Sequence, residues 1–187
     1  MGLTFANKIT VCRILAVPFF IYAVLYYSPG REYFHHLALG VFLFAVISDF
    51  IDGYVARSWH QKTKAGTILD PLADKLLLIS AFITLYMMRD VFGSVHFPMW
   101  LVVAAISREI ILILGATIIQ IQRGDLELNP TVLGKATTFF QMTCILGILL
   151  QWKNSLMIWD ITFALTIISG IDYIREGIKI LNNGTRS

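Results

Sequence analysis

Long apolar runs alternate with short polar breaks along the whole chain. Six runs stand out, at about 9–28, 34–56, 70–89, 96–122, 132–152 and 155–178. A helix needs roughly 20 residues to cross the hydrocarbon of a bilayer, so each run predicts a transmembrane helix. The breaks are too short to hold a soluble domain, and no repeat or low-complexity tract interrupts the pattern. Residues 1–187 are therefore expected to form one all-α integral membrane domain with six transmembrane helices. The first run carries Arg13 and Pro18, is too long for the apolar part of a signal peptide and lacks a small-residue cleavage site, so it is expected to stay in the mature protein.

Four acids break the apolar pattern: Asp49, Asp52, Asp70 and Asp74. A charge at the centre of a membrane helix costs about 2.5–3.5 kcal/mol on insertion scales, so intramembrane acids mark functional positions by default. Asp49 and Asp52 are three apart and share a helix face, which Gly53 and Ala56 continue. Two acids and two small residues on one stripe form a surface that a ligand can approach closely. Asp70 and Asp74 are four apart, one turn of the next helix. The connection at roughly 58–66 is short and polar, so the two helices are expected to be antiparallel neighbours with the acidic pairs facing each other.

Four ionised carboxylates at close quarters need compensation, and two divalent cations would balance their formal charge. Oxygen ligands without His or Cys suit Mg²⁺ or Mn²⁺ rather than Zn²⁺. Two such ions form a clamp for the entering and leaving oxygens of phosphoryl chemistry. Arg57 adds a forked donor that fits phosphate oxygens. Gly66 either lets the backbone approach a ligand or shapes the turn before the third helix.

Composition agrees with a membrane protein: 57% of residues are hydrophobic and 14% charged. With the N-terminus inside, Lys8, Arg57, Lys62, Lys64, Arg123, Lys135, Arg175, Lys179 and Arg186 fall on the cytoplasmic side. Arg31, Arg89 and Lys153 fall on the other. That bias places both termini in the cytoplasm and the acids near the cytoplasmic ends of their helices, within reach of a soluble nucleotide. A net charge of +3 lacks the concentrated basic face that nucleic-acid binding needs, and the cytoplasmic cations are expected to meet anionic membrane lipids. Cys12 and Cys144 make no metal-ligand pattern and are expected to be small buried apolar residues.

Together the residues read D-x2-D-G-x2-A-R-x8-G-x3-D-x3-D from Asp49 to Asp74. This pattern resembles, at every fixed position, that of the CDP-alcohol phosphotransferase family. Asn7, Thr10, Arg13 and Pro18 resemble the family's opening motif, with Ala6 where a proline is often found. Ser107-Arg108-Glu109, Gly134-Lys135 with Thr138 and Gln141, and Ser169-Gly170 with Tyr173 are similar to later patches of bacterial phosphatidylglycerophosphate synthases.

The resemblance implies a six-helix enzyme, usually a homodimer. It would sit in the bacterial cell (inner) membrane with its active site toward the cytoplasm. Such an enzyme transfers a phosphatidyl group from CDP-diacylglycerol to a polar alcohol and releases CMP. By the same resemblance Asp49, Asp52, Asp70 and Asp74 hold two Mg²⁺ or Mn²⁺ ions, and Asp74 also serves as the base. Gly53, Ala56, Arg57, Thr63 and Gly66 line the donor nucleotide site.

The acceptor is less constrained. Glycerol 3-phosphate calls for cations, and Arg108, Lys135 and Arg175 are the candidates. Arg108 can instead pair internally with Glu109, and Lys135 and Arg175 can be snorkelling interface anchors. Two further cations found in many glycerol-3-phosphate enzymes of the family are replaced here by Ala116 and Thr137. Phosphatidylglycerophosphate synthesis is the expected activity, and CMP-forming cardiolipin synthesis from phosphatidylglycerol is the alternative. Of another class, a small transporter would use the acids as a relay, but leaves the offsets of Gly53, Ala56 and Arg57 unexplained.

Overall fold

Each apolar run folds as a helix in the computed structural model. The helices are α1 (Phe5–Leu25), α2 (Glu32–Trp59), α3 (Lys64–Met87), α4 (Met99–Arg123), α5 (Val132–Leu149) and α6 (Leu156–Asn183), with no strand among the described residues. The structure describes the backbone at 5–59, 64–93, 95–123, 131–153 and 156–183. It describes side chains at 11–48, 72–93, 95–119, 131–153 and 157–180.

Three helices contain stretches long and apolar enough to cross a membrane: Met99–Ile119, Val132–Leu149 and Met157–Ile180. In the first half, the apolar stretches Val11–Leu25 and Glu32–Ser48 are shorter among the described residues. The helix ends depart from the apolar pattern for local reasons. α2 runs on to Trp59 and α3 starts at Lys64, so the connection expected over 58–66 narrows to residues 60–63, which lie outside the described residues. α1 stops at Leu25, shortly before Pro29, whose ring disfavours helix in the residue before it. α5 stops at Leu149 because Gln151 takes a left-handed backbone (φ 52°) that ends the helix.

One compact unit comprises α1–α3 with Ile148–Trp152. Here α1 packs against both α2 and α3. Its buried stripe is Arg13, Ala16, Val17, Phe20, Ala23 and Val24, a helical three-and-four spacing. Ala38, Phe42 and Ala45 answer it from α2, and Ala73, Leu77, Leu78, Ala81, Phe82 and Leu85 form the buried face of α3. Alanines let the backbones approach closely, and Phe20 and Phe42 fill the space between them with ring centroids 5.8 Å apart.

Near the α1–α2 connection the rings form two clusters, Tyr22, Tyr26, Tyr33 and Phe34 in one and Tyr27, His35 and Phe92 in the other, as suits a membrane–water boundary. The His35 imidazole reaches the Leu149 carbonyl at 2.5 Å, and so satisfies an orphan acceptor at a helix end.

The other unit holds α4, most of α5 and α6. Thr131 caps α5: its hydroxyl oxygen accepts from the Gly134 amide at 3.1 Å. Hydroxyls then tie the helices together. Thr137 donates to Leu133 O at 2.8 Å and shares the contact with Leu165 O of α6 at 3.2 Å. Cys144 Sγ and Thr162 Oγ1 lie 3.1 Å apart. Tyr173 of α6 donates to Leu112 O of α4 at 3.1 Å, with its ring against Gly115. Polar side chains of this kind hold apolar helices together where water is absent.

Of the two cysteines expected to be buried, Cys144 is buried but Cys12 is exposed. Cys12 directly precedes Arg13 and lies on the face of α1 turned away from the buried stripe.

Candidate active site

The eight pattern residues fall on two consecutive helices, near the ends that residues 60–63 connect in sequence. Asp49 and Asp52 lie 10 and 7 residues before the end of α2 at Trp59, and Gly53, Ala56 and Arg57 follow them. Gly66, Asp70 and Asp74 lie 2, 6 and 10 residues after the start of α3 at Lys64. At 1.5 Å per residue, all four acids sit about 9–15 Å from the helix ends that the 60–63 connection joins. The backbone therefore carries both acidic pairs at matching distances along their helices. The side chains of Asp49, Asp52, Gly53, Ala56, Arg57, Gly66 and Asp70 lie outside the described residues, as does Thr63 entirely.

Asp74 is the member of the set whose surroundings are described. Its Oδ1 accepts a hydrogen bond from Arg13 Nη1 at 2.8 Å. The arginine comes from α1, 61 residues away in sequence, and occupies a core slot in that helix's buried stripe. The two ends of the pair differ in access: the Arg13 side chain is 1% exposed and the Asp74 side chain 27%. A buried guanidinium in an apolar helix is sustained only by a partner of opposite charge, and Asp74 supplies one.

The three acceptor candidates are placed very differently. Arg108 is buried in the second unit. Its Nη1 is ion-paired with Glu109 Oε1 and reaches Thr138 Oγ1 at 3.4 Å. Its Nη2 donates to Gly134 O at 3.2 Å and Ser169 Oγ at 3.3 Å. The guanidinium thus ties α4 to α5 and α6. Its Nε, also buried, has no hydrogen-bond partner. Lys135 and Arg175 are exposed. Ala116 is half-buried, and Thr137, at the other position where a cation was noted as missing, is fully buried with its hydroxyl engaged.

Two features were not anticipated from the pattern. The first is the Arg13 contact to Asp74. Its signal in the chain was a charged residue inside an apolar run, which carried no indication of its partner. The second is Gln141, fully buried with neither amide atom hydrogen-bonded. Among the described residues no three metal-ligating side chains converge, three of the four aspartates lying outside that set.

Comparison with known proteins agrees with the pattern. The family model described as CDP-alcohol phosphatidyltransferase matches residues 3–168. The chain is 31% identical over 182 residues to a protein of Mycobacterium tuberculosis named probable phosphatidylglycerophosphate synthase, covering 93% of this chain and 81% of that protein. It is 32% identical over 195 residues to the CDP-diacylglycerol–glycerol-3-phosphate 3-phosphatidyltransferase of Bacillus subtilis, covering 94% and 95%. It is also 32% identical over 137 residues to the CMP-forming cardiolipin synthase of Streptomyces coelicolor, covering 73% and 60%. With the motif intact and the family model matched over most of its length, the chain belongs to the CDP-alcohol phosphatidyltransferase family.

Proposed function

We propose that this protein transfers the phosphatidyl group of CDP-diacylglycerol to the hydroxyl of glycerol 3-phosphate, giving phosphatidylglycerophosphate and CMP. The observation that carries the proposal is the complete eight-residue pattern on α2 and α3, inside a family match that spans residues 3–168. Relatives named for this reaction match most of the chain. Family membership favours an enzyme over a small transporter.

The donor set of four aspartates is all oxygen, which fits Mg²⁺ or Mn²⁺. Asp49, Asp52, Asp70 and Asp74 would hold two ions, which supply charge neutralisation for the diphosphate and for the leaving oxygen. Gly53 and Ala56 leave room for the nucleotide on their helix face, and Thr63, together with Gly66 in the first turn of α3, completes the proposed donor site. Arg57 binds donor phosphate oxygens through its planar fork.

The acceptor oxygen forms a bond to the phosphorus that carries diacylglycerol. The bond from that phosphorus to the bridging oxygen breaks, and its electron pair leaves with CMP. The hydroxyl proton passes to the Asp74 carboxylate. A positioned base of this kind contributes about 10²–10⁴-fold, and fixed charges on the equatorial and leaving oxygens contribute the larger share.

We place this chemistry in a single membrane domain of six spans with both termini cytoplasmic, in a bacterial inner membrane, as a homodimer whose site opens to the cytoplasm. The positive-inside bias supports that orientation. A second acceptor, phosphatidylglycerol, is favoured by one observation: Thr137 is sealed between α5 and α6, where a cation for an acceptor phosphate would otherwise sit. The Streptomyces relative is named for that reaction.

The test is purified protein in detergent or liposomes with CDP-diacylglycerol, Mg²⁺ and a panel of alcohols. CMP release with formation of phosphatidylglycerophosphate is expected. No CMP release with any alcohol would overturn the proposal.

A further inference from the structure

We infer that Arg13 is a positioning residue for the transfer reaction, its guanidinium holding the Asp74 carboxylate in place from a helix that carries none of the eight pattern residues. This rests on the phosphatidyl-transfer function proposed above. The contact itself is direct, Nη1 to Oδ1 at 2.8 Å between α1 and α3.

Among the described residues, Arg108 and Arg13 are both buried and each holds a carboxylate, and the two pairs show how a structural clamp and an open one differ. In Arg108–Glu109 both side chains are sealed, at 4% and 3% exposure, and the guanidinium spends its Nη2 on a carbonyl and a hydroxyl of neighbouring helices. That is what a pair serving only to join helices requires. In Arg13–Asp74 the arginine is equally sealed, at 1%, but the carboxylate keeps 27% of its surface open. The pair is built so that its basic end is fixed and its acidic end is reachable. A joint meant only to fasten α1 to α3 would gain from an apolar side chain at 13, in line with Ala16, Val17 and Phe20.

Arginine suits the role chemically. It stays protonated at every working pH, so it holds an oxygen without competing for the proton that Asp74 must take. Its planar fork fixes direction as well as distance, which the flexible ammonium of lysine does not. Since it arrives from a different helix, the carboxylate is restrained by two backbones instead of one. Small displacements of a reacting group lower rates steeply, so this restraint falls on turnover more than on donor binding.

A double-mutant cycle tests the inference, using full-length protein in detergent with Mg²⁺, CDP-diacylglycerol and the productive acceptor. The variants are Arg13→Gln, Asp74→Asn and both together, with Arg13→Lys as the conservative change. Turnover, donor and acceptor KM, donor affinity without acceptor, and melting temperature are measured for each. If Arg13 acts through Asp74, Arg13→Gln lowers kcat by about 10–100-fold, with donor affinity within about threefold of wild type. Arg13→Lys recovers part of that loss. In the Asp74→Asn background, Arg13→Gln changes kcat by less than about twofold, because residues acting as a unit are non-additive.

Losses that multiply across the cycle would overturn the inference. So would an Arg13→Gln protein that melts lower yet turns over normally in its folded fraction. Should Arg13→Gln alone fail to fold, the double variant, which removes both members of the ion pair, is compared with Asp74→Asn, and Arg13→Lys supplies the kcat arm. A wild type that releases no CMP overturns the function itself and the inference with it. An active wild type with multiplicative losses overturns the role of Arg13 alone.

Discussion

Arg108 and Glu109 are neighbours in the chain, yet both are buried in the second unit, where they form an ion pair. Consecutive helix residues ordinarily diverge by about 100° around the axis, so the long guanidinium curls back to meet the carboxylate. A cation neutralised in this way serves helix packing first. Removing one partner of a buried pair leaves an uncompensated charge, at a cost of about 3–5 kcal/mol. Glu109→Gln and Arg108→Ala are therefore each expected to lower the melting temperature strongly. The joint replacement Arg108→Met with Glu109→Leu is expected to melt above either single variant. Thermal unfolding in one detergent checks all three, and equal melting of singles and wild type would contradict the pairing.

Metal dependence is the first expectation of the oxygen-only donor set proposed for Asp49, Asp52, Asp70 and Asp74. Activity is expected to vanish with EDTA and to return with Mg²⁺ or Mn²⁺. Asp49→Asn and Asp70→Asn should each lower turnover by at least about 10²-fold through a misplaced clamp. CMP release by either variant at wild-type rates would remove the two-ion mechanism.

If Asp74 is the base, its role is separable from that of the proposed donor site. Asp74→Asn is expected to keep CDP-diacylglycerol affinity far better than turnover, because Gly53 and Arg57 are untouched. The drop in kcat should reach at least about 10²-fold. Parallel collapse of donor affinity and turnover would make Asp74 chiefly a structural or metal-holding residue.

For the acceptor, the two exposed cations give the cleaner probe. If glycerol 3-phosphate is bound through them, Lys135→Ala and Arg175→Ala should raise the acceptor KM with the donor KM little changed. A lost charge-assisted contact is worth roughly 1.5–3 kcal/mol, or about 10–150-fold. Arg108→Ala is a poorer probe, since it also breaks the buried pair. Product analysis separates the two acceptors. Phosphatidylglycerophosphate supports the proposed reaction, whereas cardiolipin without turnover of glycerol 3-phosphate would replace it and leave the metal chemistry intact.

Gly115 tests the packing of α4 on α6. A Cβ at this position would lie 2.7 Å from Tyr173 Cε1, inside van der Waals contact. Gly115→Ala is expected to destabilise the protein by about 1–3 kcal/mol, as overpacking does. Tyr173→Phe, which removes only the hydroxyl bond to Leu112 O, should cost about 0.5–1.5 kcal/mol. Unfolding midpoints of the two variants check both figures.

What was legible in the chain was local. Apolar runs of sufficient length gave six helices, with ends displaced by up to six residues where Pro29 and the left-handed Gln151 intervene, where polar residues prolong α2, α3 and α6, and at the starts of α1 and α4. Helical spacing identified the acids, because periodicity is written into neighbouring residues, and the family followed from their offsets. Tertiary structure decided the partnerships. Arg13 meets Asp74 across 61 residues, and Arg108 is claimed by Glu109, Thr138, Gly134 and Ser169 instead of standing open. Cys12 is exposed while Arg13 beside it is buried. Spacing along one helix says which residues share a face. Which helix that face meets depends on how distant surfaces pack, and it is this packing that sets whether a charge serves the fold or the reaction.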